Sequence, residues 1–98
     1  MKFEIKIKQE AREDIADIFE WYENHQTRLG FRFLDAFEER ISFIQKEPQV
    51  YSKKYKAFRQ ALLSKFPYLI IFEIDENKII IYAVIHAKRK PSLRFKRK

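Results

Sequence analysis

The chain has 98 residues, enough for one small domain and too few for a second. Its 46% hydrophobic content, with ten Phe and five Tyr, supplies a real core and excludes a disordered chain despite 36% charged residues. Without Cys there are neither disulfides nor thiolate metal sites, and no stretch approaches the ~18 apolar residues of a membrane span.

The opening MKFEIKIKQE lacks the apolar centre of a signal peptide, so a soluble, cytoplasmic protein is expected. Within it, Phe3 to Lys8 alternates apolar and polar residues with period two, which predicts a half-buried strand. From Gln9 the period changes. Ala11, Ile15, Ile18, Phe19 and Tyr22 recur at helical spacing, predicting an amphipathic helix to about Asn24. A second helix is expected from a cap near Thr27 to about Lys46, with Phe33, Leu34, Phe37, Ile41 and Ile44 as its apolar stripe. Gly30, the sole glycine, falls in its first turn, where close helix packing would require it. Glu47 to Tyr55 is polar and reads as a loop. Lys56 to Leu63 is a weakly patterned strand, followed by clear strands at Tyr68 to Ile74 and Lys78 to Ile85 around the polar turn Asp75-Glu76-Asn77. Both of these last strands are almost wholly apolar, as in strands covered on two faces. The pattern predicts a single α+β domain, β-α-α-β-β-β, with a helical hairpin packed on a mostly antiparallel four-stranded sheet.

The net charge of +7 is unevenly placed. Seven of the 21 cations lie in the last twelve residues, AKRKPSLRFKRK, so the other 86 residues carry 14 basic against 14 acidic side chains. The basic tail, at about residues 87–98, fits a polyanionic or acidic partner, or else a solvated end. QEAREDIADIFEWYEN runs the other way, with six acids and one Arg. These acids are spread around a helix and read as a solvated face.

His86 ends a buried strand beside Lys88, Arg89 and Lys90. A histidine there suits acid–base chemistry or, more simply, a hydrogen-bonded strand end. Arg89, flanked by those lysines, could hold a phosphate or stabilise charge developing on it, and Arg59 is a candidate for the same surface. Lys53, Lys54 and Lys56 form another basic cluster, Arg94 extends the tail, and Tyr51, Tyr55, Tyr68 and Phe95 interleave with these cations as stacking surfaces or as core. One glycine excludes a Gly-rich phosphate loop. His25 and His86 sit on different elements, so neither a metal nor a small-molecule cofactor is expected.

The ordered blocks AREDIADIFEWYE, GFRFLDAFEERISFIQKEP, FRQALLSKFPYLIIFEI and IYAVIHAKRKP resemble the RelE/ParE superfamily of type II toxin–antitoxin toxins across nearly the whole chain. The resemblance implies a toxin of a plasmid-stabilising module, neutralised by a cognate antitoxin that buries the apolar strands and sets acids against the basic surface. Two activities are implied. RelE-like members cleave mRNA on the ribosome without a metal. ParE-like members poison DNA gyrase. Arg89 matches a functional arginine of the family, and His86 a strand-end histidine of ParE-like members. Leu69 stands where ribonuclease members place an arginine, and Phe95 where some place a tyrosine. Loss of one such group commonly costs a factor of about a hundred or more in rate. The expectation is therefore a gyrase-binding growth inhibitor. A ribosome-dependent endoribonuclease using His86, Arg89, Arg59 and the Lys53-Lys54-Lys56 cluster is the alternative, and a decayed, antitoxin-binding toxin the second.

Overall fold

A computed structural model describes residues 2–88. The chain forms β1 (Glu4–Ile7), α1 (Gln9–His25), α2 (Leu29–Lys46), a 3₁₀ turn (Pro48–Val50), β2 (Lys53–Tyr55), β3 (Phe58–Leu62), β4 (Tyr68–Asp75) and β5 (Lys78–His86). The α+β architecture and the helical hairpin agree with the sequence. The sheet has five strands rather than four, in the order β1-β5-β4-β3-β2, with only β1–β5 parallel. The added strand, β2, lies in the segment read as a loop. Its three residues, Lys53, Lys54 and Tyr55, are all exposed, so burial left no periodic trace in them. Backbone pairing to β3, irregular between Lys53 and Tyr55, makes the strand.

The β4–β5 hairpin is the centre of the sheet. Ile70, Phe72, Ile79, Ile81 and Val84 join Phe33, Phe37 and Ile44 of α2 and Ala11 and Ile18 of α1 in the main core. Leu69, Ile71, Ala83 and Ile85 join Phe58 in a second buried cluster. In β5 the inward parity changes from Ile79 and Ile81 to Val84. A register shift explains it: Phe72 pairs with Ile81 but Ile71 pairs with Ala83, leaving Tyr82 as the extra residue of a bulge. Tyr82 consequently packs with the second cluster, where its hydroxyl donates to Glu73 Oε1 at 2.8 Å.

Two acids of α1 that read as solvated are structural. β1 ends at Ile7 opposite Ile81, so β5 loses that neighbour. The Asp14 carboxylate takes its place, accepting the Val84 N–H at 3.0 Å. At the other end of α1, Glu23 accepts the N–H groups of Arg28 and Gly30, each at 2.9 Å. Those are orphan donors at the start of α2. The expected cap near Thr27 is absent: Arg28 is the N-cap, at φ 75°, and makes no side-chain cap bond. A carboxylate from the preceding helix does the job instead, so the start expected near Thr27 holds to within one residue while the capping group differs.

Gly30 is buried against Phe19. A Cβ there would lie 2.7 Å from the Phe19 carbonyl oxygen and 2.8 Å from its ring. In an open helix Gly→Ala gains about 1 kcal/mol. Here the contact includes backbone, and Gly30→Ala should instead cost about 1–3 kcal/mol, read as a lower urea midpoint. A raised midpoint would contradict the close approach of α1 and α2.

Burial, then the Glu73 hydrogen bond and charge, push the Tyr82 hydroxyl up to about 12. Because the folded value exceeds the unfolded one, the associated stability is complete below about pH 10 and drains as pH rises to about 12. Tyr82→Phe should flatten the pH dependence of unfolding in that window. An unchanged slope would mean that Tyr82 titrates normally.

Candidate functional site

His86 closes β5 opposite Tyr68 of β4. The Lys88 N–H donates to its Nδ1 at 3.1 Å, so the neutral ring carries its proton on Nε2. Its ring meets that of Tyr68 edge-on, with centroids 5.3 Å apart. Tyr68 in turn packs against Tyr22 and Phe33, and both of those meet Phe66. The Tyr22 hydroxyl is pushed up, first by burial and then by Tyr68 beside it. The half-buried His86 is thus the edge of an aromatic cluster. With Nδ1 engaged, it is equipped to donate from Nε2 rather than to act as a free base. Lys88 follows, exposed, on the way to the basic tail. Arg89, Lys90, Arg94 and Phe95 lie outside the described residues.

Arg59 is elsewhere. It pairs with Phe72, whereas His86 pairs with Tyr68, four residues back along β4 and on the opposite neighbouring strand. That separates them by about 13 Å along the strand direction alone. The Arg59 guanidinium is committed to the backbone: Nη1 donates to the Tyr51 carbonyl at 2.6 Å and, more weakly, to that of Gln49 at 3.4 Å. It thereby holds the Pro48–Val50 turn against β3. Lys53 is the cross-strand neighbour of Arg59, and Lys56, at φ 51°, places Nζ 5.3 Å from the Tyr55 ring centre. Lys53, Lys54 and Lys56 are all exposed. The basic residues therefore divide into two surfaces, one at the His86 end of β4 and one around Tyr51. Leu69 is 6% exposed, within the second buried cluster.

A third feature was not legible in the sequence. Between α1 and α2 runs a groove of about 730 Å³ with Ile7, Ile15, Phe19, Leu34 and Phe37 as its apolar lining. Glu20, Glu23 and Glu38 outnumber Arg12 among its charged residues. The apolar residues of each helix were visible, but only the hairpin packing decides which remain open. Among the described residues no three His, Cys, Asp or Glu side chains gather to hold a metal ion, and no helix is long and apolar enough to cross a membrane.

Residues 5–91 match the family model described as the ParE toxin of the parDE type II toxin–antitoxin system. No curated protein matches the chain. Among solved structures, the chromosomal ParDE toxin–antitoxin system of P. aeruginosa aligns with a TM-score of 0.78 at 14% identity, covering 89% of this chain and 98% of that one. The toxin–antitoxin complex RelBE2 of Mycobacterium tuberculosis aligns at 0.65 and 19% identity, covering 88% and 99%. The archaeal RelE–RelB complex of Pyrococcus horikoshii OT3 aligns at 0.55 and 13%, covering 92% and 100%. At these identities the structures share the fold.

The role of Arg59 in holding backbone is open to measurement. Arg59→Ala should destabilise the chain by about 1.5–3 kcal/mol, the range for hydrogen bonds to a charged group. Lys54→Ala, on the exposed edge strand, should stay within about 0.5 kcal/mol of the parent. Similar denaturation midpoints for the two variants would remove the structural assignment of Arg59.

Proposed function

Because the chain belongs to the ParE toxin family of type II toxin–antitoxin systems, we propose that it arrests growth by binding DNA gyrase and is neutralised by a cognate antitoxin. The observation that carries the target is the separation of Arg59 from His86. An endoribonuclease of the kind implied by the resemblance needs these groups around one phosphate, yet Arg59 is spent on the Tyr51 carbonyl and Leu69 is buried. Binding a protein target requires no such convergence. It requires a surface: at the strand end His86 is half-buried and Lys88 exposed, and the sequence continues with the cations Arg89, Lys90 and Arg94.

The antitoxin takes the groove between α1 and α2. Its apolar lining suits an amphipathic segment, and the carboxylates of Glu20, Glu23 and Glu38 favour cations on that segment. Target and antitoxin then meet different faces, and neutralisation works by wrapping or by steric cover.

Expressed in a bacterial host without antitoxin, the chain should stop growth while messages stay intact, and the purified protein should inhibit gyrase supercoiling. Neutralising Lys88, Arg89 and Lys90 together should raise the amount needed for half-inhibition roughly tenfold. New RNA 5′ ends phased to codons would transfer the function to mRNA cleavage, and unaffected growth would identify a decayed toxin. For the groove, Ala16→Arg fills it from an exposed position. This variant should remain toxic but escape the antitoxin; continued rescue would place the antitoxin elsewhere.

A further inference from the structure

One flank of α2 carries a pattern that neither the core nor the sites above use. Leu29, Arg32, Ala36, Glu39 and Phe43 recur at spacings of three and four, so they form a single stripe along the helix. All five lie outside both buried clusters. Leu29 and Ala36 are half-buried, Arg32 and Glu39 are exposed, and Phe43 is 49% exposed. With Asp35 and the turn after β3 at residues 64–66, the first four line a concave surface of about 820 Å³. None of the five lines the groove between α1 and α2, which lies on the other flank of the helix.

The stripe is complementary to its own reverse. Ala36 sits midway between Leu29 and Phe43, so turning a copy end for end about Ala36 sets the apolar residue of one end against that of the other. Arg32 and Glu39 come opposite one another in the same operation, forming an ion pair at each end of the contact. Ala36 at the axis lets the helices approach closely, because their separation follows the size of the side chains between them. A parallel pairing would set Arg32 on Arg32 and Glu39 on Glu39, so charge selects the antiparallel one. Arg40, beside the stripe, is turned away to the Tyr51 hydroxyl, which it meets at 3.3 Å. Complementarity of a patch to its own reverse is what a two-fold interface requires, since the same surface serves both subunits.

We propose that this flank of α2 binds a second copy of the chain, antiparallel about Ala36, with Leu29 against the second copy's Phe43 and Arg32 paired with its Glu39. The two Asp35 carboxylates then fall on the same side of the axis and repel each other; Lys65, on the same concave surface, partly offsets them. One helix from each copy makes a small contact by the standard of stable interfaces, which bury about 1,200–2,000 Å², so a dissociation constant of about 10–100 μM is expected. The dimer leaves the α1–α2 groove open. The proposal does not rest on the gyrase reading.

The test is sedimentation equilibrium of the full purified chain from about 1 to about 300 μM, which brackets the expected constant. A monomer–dimer equilibrium is expected. Arg32→Glu and Glu39→Arg should each weaken it roughly tenfold, and the two together should restore it, because the ion pair re-forms in reverse. Asp35→Asn should tighten the dimer several-fold by removing the like charges at the axis. All three positions are exposed, so the melting temperature of the dilute monomer should not move. A chain that stays monomeric throughout this range would overturn the proposal. So would a dimer indifferent to the single charge reversals, a folded double variant that fails to recover, or an Asp35→Asn that weakens association.

Discussion

Everything in the molecule depends on a β-hairpin that is apolar on both faces. Along β4, Ile70 and Phe72 face one core while Leu69 and Ile71 face another, and β5 follows the same rule until the bulge at Tyr82. Without that bulge, Ile79 and Ile81 would share a face with Ala83 and Ile85. Val84 would then leave the helix-side core, because strand side chains alternate strictly. The extra residue keeps both clusters filled. Beyond Ile81, the last residue of β5 paired with β1, Asp14 accepts the Val84 N–H and ties α1 to the sheet.

That scaffold sorts the charges into those that build and those that face outward. Asp14, Glu23 and Arg59 satisfy backbone groups that the architecture would otherwise leave without partners. Burying such groups unpaired costs roughly 1–3 kcal/mol each, more than an exposed ion pair returns. Lys53, Lys54, Lys56 and Lys88 make no comparable contribution and stay exposed. They are available to partners.

The groove between α1 and α2 has an equally simple origin. Gly30 lets α2 approach the Phe19 backbone closely, and Glu23 clamps the turn beside it. The helices therefore stay tight at the hairpin end, where Phe19 and Phe31 meet edge-on at 5.0 Å. Ile15 and Leu34 stay partly exposed beside Ile7, over the buried Phe37. An apolar lining with acidic borders fits a protein segment better than a metabolite, which agrees with a family whose toxins belong to toxin–antitoxin systems.

The α+β class, the two helices, the apolar strands and the special position of Gly30 could all be read from the residues, since each is a matter of local periodicity or of one residue's steric freedom. Four things belonged to the tertiary structure. β2 has no buried residue to give it a period, so only pairing with β3 reveals it. The α2 cap comes from Glu23, five and seven residues before the N–H groups it accepts, beyond the reach of local cap rules. Arg59 looked like a partner for His86 because both are functional residue types near strand ends. Register sets them four residues apart along β4, on opposite neighbouring strands, and gives Arg59 to the Tyr51 carbonyl. The α1–α2 groove is a difference between apolar surface present and apolar surface covered. Sequence reports the first quantity; the second exists only once the helices have packed.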